Sequence, residues 1–181
     1  AIGLGVPAVN GHHQAGPAAA MTLRADGKLD RHSLGFMVRY LRPGDAVLDI
    51  GASTGAHAVA AGQLVGPAGR VDALEPSPTV RARLVENISH NNLKSVIVVH
   101  NLMAGTTAGL GRFVDGSGKS GRRRPPLPGE LATRVIGVEM VRLEQFMGAR
   151  RYALMCLDIA GGEFGALRGS EAQLRAGNPP A

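Results

Sequence analysis

The sequence predicts an α/β fold in which a mostly parallel sheet is flanked by helices. Short apolar segments at 46–50, 95–100 and 152–159 have the composition of strands that are buried on both faces. Segments with apolar residues at helical spacing lie between several of the predicted strands. Strands that alternate with helices in this way indicate parallel pairing through right-handed crossovers.

The first hundred residues follow this alternation regularly. The helix at 33–41 carries apolar residues at helical spacing, and Pro43–Gly44 ends it. Ser77 is a favourable N-cap residue, and Pro78 suits the first position of the helix behind it. The predicted elements are, in order, a helix over 33–41, a strand over 46–50, a helix over 54–65, a strand over 70–75, a helix after Ser77 and a strand over 95–100.

The alternation fails after the third strand. Residues 105–129 are rich in Gly, Arg and Pro and are expected to form an insertion, with strand character only near Phe113–Val114. One domain over 26–181 is expected, preceded by a flexible segment over 1–25. The remaining predicted elements are strands over 134–143 and 152–159 and a helix over 163–175 with Phe164, Leu167 and Leu174 inward.

The last apolar strand, 152–159, is expected to form an exposed edge of the sheet. The sequence stops at GNPPA, where a doubly wound sheet normally continues, so the C-terminal strands are expected to be missing. An exposed edge promotes association unless it is covered or paired. A homodimer formed through this edge is therefore one expectation.

Composition and charge narrow the classes of partner. The net charge of +6 is the difference between 20 basic and 14 acidic residues. The basic residues are spread thinly except at Arg122–Arg124, so a nucleic-acid partner is not favoured. The single cysteine, Cys156, excludes an internal disulfide, and no Cys/His cluster has zinc spacing, so no metal site is predicted. Without an apolar run of about 20 residues or a secretory leader, no membrane association and a cytoplasmic location are expected.

The segment VLDIGASTGAH, at 47–57, joins a buried strand to a helix through a glycine turn. Small residues allow backbone N–H groups to approach a ligand, and the helix N-terminus adds partial positive charge. The dinucleotide fingerprint G-x-G-x-x-G is not met, because Ala52 and Ser53 stand where glycines are required. Asp49, directly before the turn, would disfavour a pyrophosphate but suits a ligand that carries a positively charged amino-acid end.

Glu75 closes the next strand. A carboxylate at that place accepts hydrogen bonds from ribose hydroxyls, which fits any adenosine ligand. Asp49 and Glu75 without a phosphate loop favour S-adenosylmethionine over NAD. Taken singly, each could instead be a capping or surface acid.

Five segments together resemble the FkbM-type methyltransferases, a branch of the class I S-adenosylmethionine-dependent fold. They are RPGDAVLDIGASTG (42–55), GPAGRVDALEPSP (66–78), ENISHNNL (86–93), VRLEQF (141–146) and LDIAGGEFGALRGSEAQL (157–174).

The resemblance implies a Rossmann-like sheet, S-adenosylmethionine as donor and a hydroxyl group on a small molecule or sugar-containing metabolite as acceptor. It places Asn101 at the adenine, as a neutral replacement for the acidic residue usual in the family. Glu75 is implied to hold the ribose. The residues implied at the donor's amino-acid end are Asp49, Gly51, Ala52, Ser53 and Gly55.

Methyl transfer to oxygen usually requires a base. Asp158, at the end of a strand beside the donor pocket, is the first candidate for general base or acceptor-orienting group. Glu163 is the second, although an acid in the first turn of a helix is also favoured by the helix dipole alone. His57 is a further possible base, whereas Cys156, within an apolar strand, is interpreted as inert core.

Two departures from the family pattern, together with the final strands that are expected to be missing, leave an alternative open. Cys156 stands where the family usually has a lysine, and Ala160 stands where it usually has a glutamate. The alternative function is a donor-binding or interaction module of the same fold with impaired turnover.

Overall fold

The computed structural model describes residues 31–114, 135–159 and 161–180. The predicted flexible segment 1–25, Ala160 and residues 115–129 of the predicted insertion lie outside the described residues. The elements in chain order are α1 (Arg31–Tyr40), β1 (Ala46–Ile50), α2 (Ala56–Val65), β2 (Arg70–Leu74), α3 (Pro78–His90), β3 (Ile97–His100), β4 (Met103–Ala104), β5 (Gly109–Val114), β6 (Val135–Val141), α4 (Leu143–Met147), β7 (Leu154–Leu157), α5 (Glu163–Arg168) and α6 (Glu171–Arg175).

The main sheet is parallel and has the strand order β3-β2-β1-β7. The predicted α/β class, with a mostly parallel sheet and flanking helices, is confirmed. The chain runs outward from β1 to β3 and then returns to place β7 on the other side of β1, so the strand order reverses between β1 and β7. In open sheets of this kind, ligands bind beyond the carboxyl ends of the strands at such a reversal.

Each face of the main sheet packs on its own apolar cluster. On one face, Val47 and Val71 contact a core that includes Met37 of α1, Val59 of α2 and Leu84 of α3. The other face packs on a second cluster, whose buried members include Leu48, Leu74, Leu143, Met147 and Tyr152. Strands buried on both faces explain why the sequence shows continuous apolar runs rather than alternation.

Strand β7 lies at one end of the main sheet, as far as the described residues show. This position agrees with the edge expected for 152–159. Pairing of two copies through the edge stays a prediction.

A second, three-stranded sheet has the order β4-β6-β5, with β4 parallel and β5 antiparallel to β6. The predicted strand over 134–143 is present as β6. Strand character in the insertion is wider than predicted, because β5 begins at Gly109 rather than near Phe113. The strand pattern of β5 is not evident in the sequence because two of its residues are glycines. At Gly111 an added Cβ would lie 2.8 Å from the sulfur of Met103.

The prediction of one helix over 163–175 was wrong. Two short helices, α5 and α6, are separated at Gly169 and Ser170. An added Cβ on Gly169 would collide with the carbonyl oxygen of Gly105, so this break allows two backbone segments to approach closely. The inward placement of Phe164 and Leu167 was also wrong, since they are 70% and 39% exposed.

Small residues replace those large side chains at the contact with the sheet. Ala166 of α5 is fully buried in the second cluster. Leu174, the third side chain expected inward, is half-buried. In the described part of the chain, every helix is too short or too polar to cross a membrane.

Candidate functional site

The turn after β1 depends on three residues with positive φ. Gly51, Ser53 and Gly55 have φ values of 82°, 52° and 96°. Gly51 is also required for space, because an added Cβ would collide with the backbone carbonyl of Asp158. At Gly55 the same atom would lie 2.6 Å from Leu84 of α3. The turn is therefore held tightly between the end of β7 and the helix α3.

Asp49 is buried at the end of β1, with 2% of its surface exposed. It lies in register between Ala73 of β2 and Cys156 of β7. Its carboxylate accepts a hydrogen bond from the backbone N–H of Ala58, a group in the first turn of α2 that has no partner within the helix. Among the described residues, nothing donates a hydrogen bond to its Oδ2 atom.

The environment of Asp49 disfavours its charge. Burial is the main cause, and the nearby carboxylates of Glu75 and Asp158 add repulsion; together they outweigh the Ala58 hydrogen bond and raise the pKa of Asp49 from 3.8 to about 7. A buried carboxylate with an unused oxygen is costly to a protein. Such an atom is therefore a candidate for binding a cationic ligand.

Glu75 joins the turn after β1 to the turn after β2. The residue is fully buried. Its Oε1 accepts a hydrogen bond of 2.8 Å from the backbone N–H of Ser77, and its Oε2 accepts one of 3.0 Å from the backbone N–H of Ser53. The second bond helps to hold Ser53 in its left-handed conformation.

Asp158 directly follows β7 and lies beside the glycine turn. Its backbone N–H donates to the carbonyl of Ile50 at 3.0 Å. Asp158 is exposed, and its charge acts on Asp49. The structure thus brings one of the two predicted catalytic acids to the turn with its side chain accessible.

Glu163 lies in the first turn of α5, and its carboxylate stabilises the loop that follows β7. It accepts a hydrogen bond of 3.2 Å from the backbone N–H of Ile159 and bonds of 3.1 and 2.9 Å from that of Gly161. This contact gives Glu163 a structural role in the loop that carries Asp158.

Asn101 directly follows β3, and its side chain contacts a residue that the sequence did not single out. Arg81, in the first part of α3, donates from Nη1 to the Oδ1 atom of Asn101 at 2.6 Å. The same Nη1 donates to the backbone carbonyls of Glu75 and Pro76, each at 3.1 Å. The sequence contains one indication that Arg81 has a partner outside its helix, because a cation near a helix N-terminus is electrostatically unfavourable without one.

The predicted site residues therefore occupy the carboxyl ends of four adjacent strands. Asp158 follows β7, Asp49 is the penultimate residue of β1, Glu75 follows β2 and Asn101 follows β3. Across the described ranges, no three His, Cys, Asp or Glu side chains are grouped closely enough to hold a metal ion.

Cys156 faces Asp49 across the pair of strands. Burial and the neighbouring Asp49 raise the pKa of the Cys156 thiol to about 12. The thiolate required of a nucleophile is therefore scarce at neutral pH, in agreement with the interpretation as inert core.

A second buried aspartate, Asp72, lies in the middle of β2. Arg70 donates to both of its oxygens at 2.9 and 2.8 Å. Arg150 and the hydroxyl of Tyr152 each bond to Oδ2 at 3.0 Å, and a ring nitrogen of His100 lies 2.8 Å from Oδ1. Burial alone would raise the pKa of Asp72, but the hydrogen bonds from His100, Arg70 and Tyr152 outweigh burial and lower it far below its usual range.

Comparison with solved structures gives similarities to several methyltransferases. The precorrin-6y C5,15-methyltransferase from Geobacter metallireducens is 16% identical, with a TM-score of 0.38 over 47% of this chain and 54% of that one. The O-methyltransferase from Bacillus cereus in complex with SAH is 23% identical, with a TM-score of 0.37 over 43% and 36%. Fibrillarin from Aeropyrum pernix, with natively bound S-adenosyl-L-methionine, is 25% identical, with a TM-score of 0.29 over 33% and 24%.

These similarities cover 54% or less of each solved chain, so this chain spans only about half of such proteins or less. Family comparison gives a broader match. The methyltransferase FkbM domain matches residues 49–179, which include the glycine turn and Glu75 as well as β7 and both C-terminal helices. The chain belongs to the FkbM methyltransferase domain family.

Proposed function

We propose that the protein is an S-adenosylmethionine-dependent methyltransferase that methylates a hydroxyl group on a small molecule or sugar-containing metabolite. Membership of the FkbM methyltransferase family supports the reaction class. The single observation that carries the donor site is the buried Oδ2 atom of Asp49, which no described residue satisfies.

The charges at the turn fit the donor. S-adenosylmethionine carries a sulfonium and an ammonium group, and the carboxylates of Asp49, Glu75 and Asp158 lie close enough to interact electrostatically. An ammonium group bound near Asp49 would supply the missing hydrogen bond and favour the ionised carboxylate. A pyrophosphate would instead be repelled by these three acids, which disfavours a dinucleotide.

Glu75 is the proposed ribose ligand. A carboxylate oxygen can accept more than one hydrogen bond, and the two oxygens of Glu75 each accept one from a backbone N–H group. Because Glu75 is fully buried, contact with a ribose requires a local movement of the chain that covers it. Gly51, Ala52, Ser53 and Gly55 are proposed to line the donor's amino-acid end.

The proposed chemistry assigns separate roles to the two acids after β7. The donor supplies an electrophilic methyl group on sulfur. Asp158 orients the acceptor hydroxyl and receives its proton as the new C–O bond forms and the S–C bond breaks. Glu163, the second catalytic candidate, acts mainly by holding the loop that carries Asp158. Positioning of the two reactants can supply about 7–11 kcal/mol of barrier reduction in well-oriented systems.

Calorimetry with S-adenosylmethionine, followed by a methyl-release assay across hydroxylated acceptors, tests the proposal. We expect donor binding and turnover with a subset of acceptors. Asp158→Asn should lower kcat by about 10²–10⁴-fold, the usual range for a general base, and leave donor affinity within about threefold. Glu139→Gln, which removes an exposed carboxylate on β6, is the matched control and should leave both values unchanged.

The alternative is a donor-binding or interaction module of the same fold. The residue that favours it is Cys156, which replaces the lysine usual in the family and faces Asp49 across the strand pair. Donor binding without turnover on any acceptor would favour this module. Absence of donor binding would overturn both functions.

A further inference from the structure

The positive charge of Arg81 lies where the helix dipole of α3 disfavours it. It lies four residues after the N-cap Ser77 of α3, near the positive end of the helix dipole. Its Nη1 group donates to two backbone carbonyls that follow β2, those of Glu75 and Pro76, and to the side chain of Asn101. The guanidinium therefore ties the end of β2 to the end of β3.

The contact fixes which way the amide of Asn101 points. A guanidinium has only donors, so the atom that faces Arg81 at 2.6 Å must be the carbonyl oxygen Oδ1. The amide nitrogen Nδ2 then points away from Arg81, and no acceptor for its N–H groups is found within the described ranges. Asn101 is exposed at this position, so Nδ2 is accessible to a ligand.

The order of the strands predicts what a ligand presents to Asn101. An adenosine donor with its amino-acid end at β1 and its ribose at Glu75 after β2 extends toward the end of the next strand, β3. Asn101 is the first residue beyond β3. The nucleobase is then the part of the donor that lies nearest to Asn101.

We propose that Arg81 is a positioning residue that presents Asn101 to the nucleobase as a hydrogen-bond donor. This inference rests on the proposed function. With Oδ1 held by Arg81, the site recognises an acceptor nitrogen of the purine ring and not the exocyclic N6 amine, which is a donor. Specificity for the base thus depends on a residue that does not itself contact the donor molecule.

Binding of S-adenosylhomocysteine and its base-modified analogues tests the proposal. For the wild-type protein, one of the 1-deaza, 3-deaza and 7-deaza analogues should bind about tenfold more weakly, the effect of one lost hydrogen bond. The N6-methyl analogue should bind within about threefold of the parent. The opposite pattern, with all deaza analogues tolerated and the N6-methyl analogue rejected, would overturn the proposal, as would equal binding of every analogue.

Two variants test the role of Arg81 itself. In Arg81→Met the amide of Asn101 can rotate, so the penalty for the deaza analogue should shrink to within about threefold. In Asn101→Asp the carboxylate keeps the contact with Arg81 but presents an acceptor, so the preference should reverse toward the N6 amine. Arg83→Met, the same substitution two residues along α3, is the matched control and should keep the wild-type pattern.

The outcomes separate this proposal from the one on which it rests. If S-adenosylhomocysteine does not bind to the wild-type protein, the proposed function fails and this inference fails with it. If it binds, and Arg81→Met retains the full wild-type discrimination while thermal unfolding shows a folded protein, only the role of Arg81 is overturned. The Asn101→Asp variant preserves Arg81, so it gives an answer even where Arg81→Met is unstable.

Discussion

Two aspartates lie on neighbouring strands of the main sheet, both almost completely buried, and their surroundings are opposite. Asp49 and Asp72 are 2% and 0% exposed. Asp72 lies in register beside Leu48 and Asp49 beside Ala73, so the two carboxylates project from opposite faces. Asp72 has four side-chain partners, whereas one oxygen of Asp49 has none among the described residues.

The pKa values follow from this difference. Hydrogen bonds from cationic and polar partners keep Asp72 ionised, while burial and neighbouring acids raise the pKa of Asp49 to about 7. A buried carboxylate whose oxygens are all hydrogen-bonded stabilises the fold. A buried carboxylate with an unsatisfied oxygen lowers stability, and such a loss is typical of a residue that binds a ligand.

The largest expected effect is on stability at Asp72. Asp72→Asn removes the charge that pairs Arg70 and Arg150 and should lower the free energy of unfolding by about 3 kcal/mol, the lower end of the range for a buried ion pair, because both arginines are partly exposed to water. Urea unfolding at pH 7.5 measures the change. A loss below about 1 kcal/mol would show that the two arginines, which are partly exposed, are equally well satisfied by water.

Substitution of Asp49 is expected to change the free energy of unfolding in the opposite direction, toward higher stability. In the folded protein its pKa is raised from 3.8 to about 7, so its burial costs stability progressively as pH rises from about 4 to 7, and the cost is constant above that range. Asp49→Asn should therefore raise the free energy of unfolding of the ligand-free protein at pH 8 by about 2 kcal/mol, roughly half the cost of the buried charge, because the amide still needs a partner.

At pH 4.5 the Asp49→Asn variant should be only slightly more stable than the wild type, because the wild-type carboxylate is then protonated in the folded protein. Urea unfolding of both proteins at the two pH values measures the difference. A variant that is less stable than the wild type at pH 8 would mean that the Oδ2 atom of Asp49 is satisfied in solution.

The smallest effect is expected at Tyr152. Its hydroxyl donates to Asp72 at 3.0 Å and is one of several partners. Tyr152→Phe should cost about 1 kcal/mol, because the two arginines and His100 continue to satisfy the carboxylate. A cost equal to that of Asp72→Asn would show that the hydroxyl, and not the charges, holds this cluster together.

The two aspartates also differ in how far the sequence predicts their surroundings. The position of Asp49 beside the glycine turn is predictable because the pattern is local: an apolar strand, an acid and a glycine turn lie within a few residues. Strands β1, β3 and β7 are predictable for the same reason, since each lies in a short apolar segment, whereas β2 contains both Arg70 and Asp72. The partners of Asp72 come from residues up to 80 positions away, and no local pattern in RVDAL indicates them.

Other features were not predictable because they depend on contacts between distant segments. The break at Gly169 follows from the approach of Gly105, and helical spacing alone favoured one continuous helix. Pairing of Met103–Ala104 with β6 involves only two residues of β4. The link between Arg81 and Asn101 likewise spans two turns that come together only in the folded sheet.

The number of protons released when S-adenosylmethionine binds at pH 6 tests most directly whether Asp49 binds the donor. Calorimetry in two buffers of different ionisation enthalpy measures it, at a pH where the donor's own ammonium group stays protonated. With a pKa of about 7, Asp49 is mostly protonated before binding and ionised opposite the ammonium group afterwards, so the wild-type protein should release close to one proton. Asp49→Asn should bind about 10–100-fold more weakly and release none. Equal affinity and equal proton release in the two proteins would contradict the assignment of Asp49 to the donor.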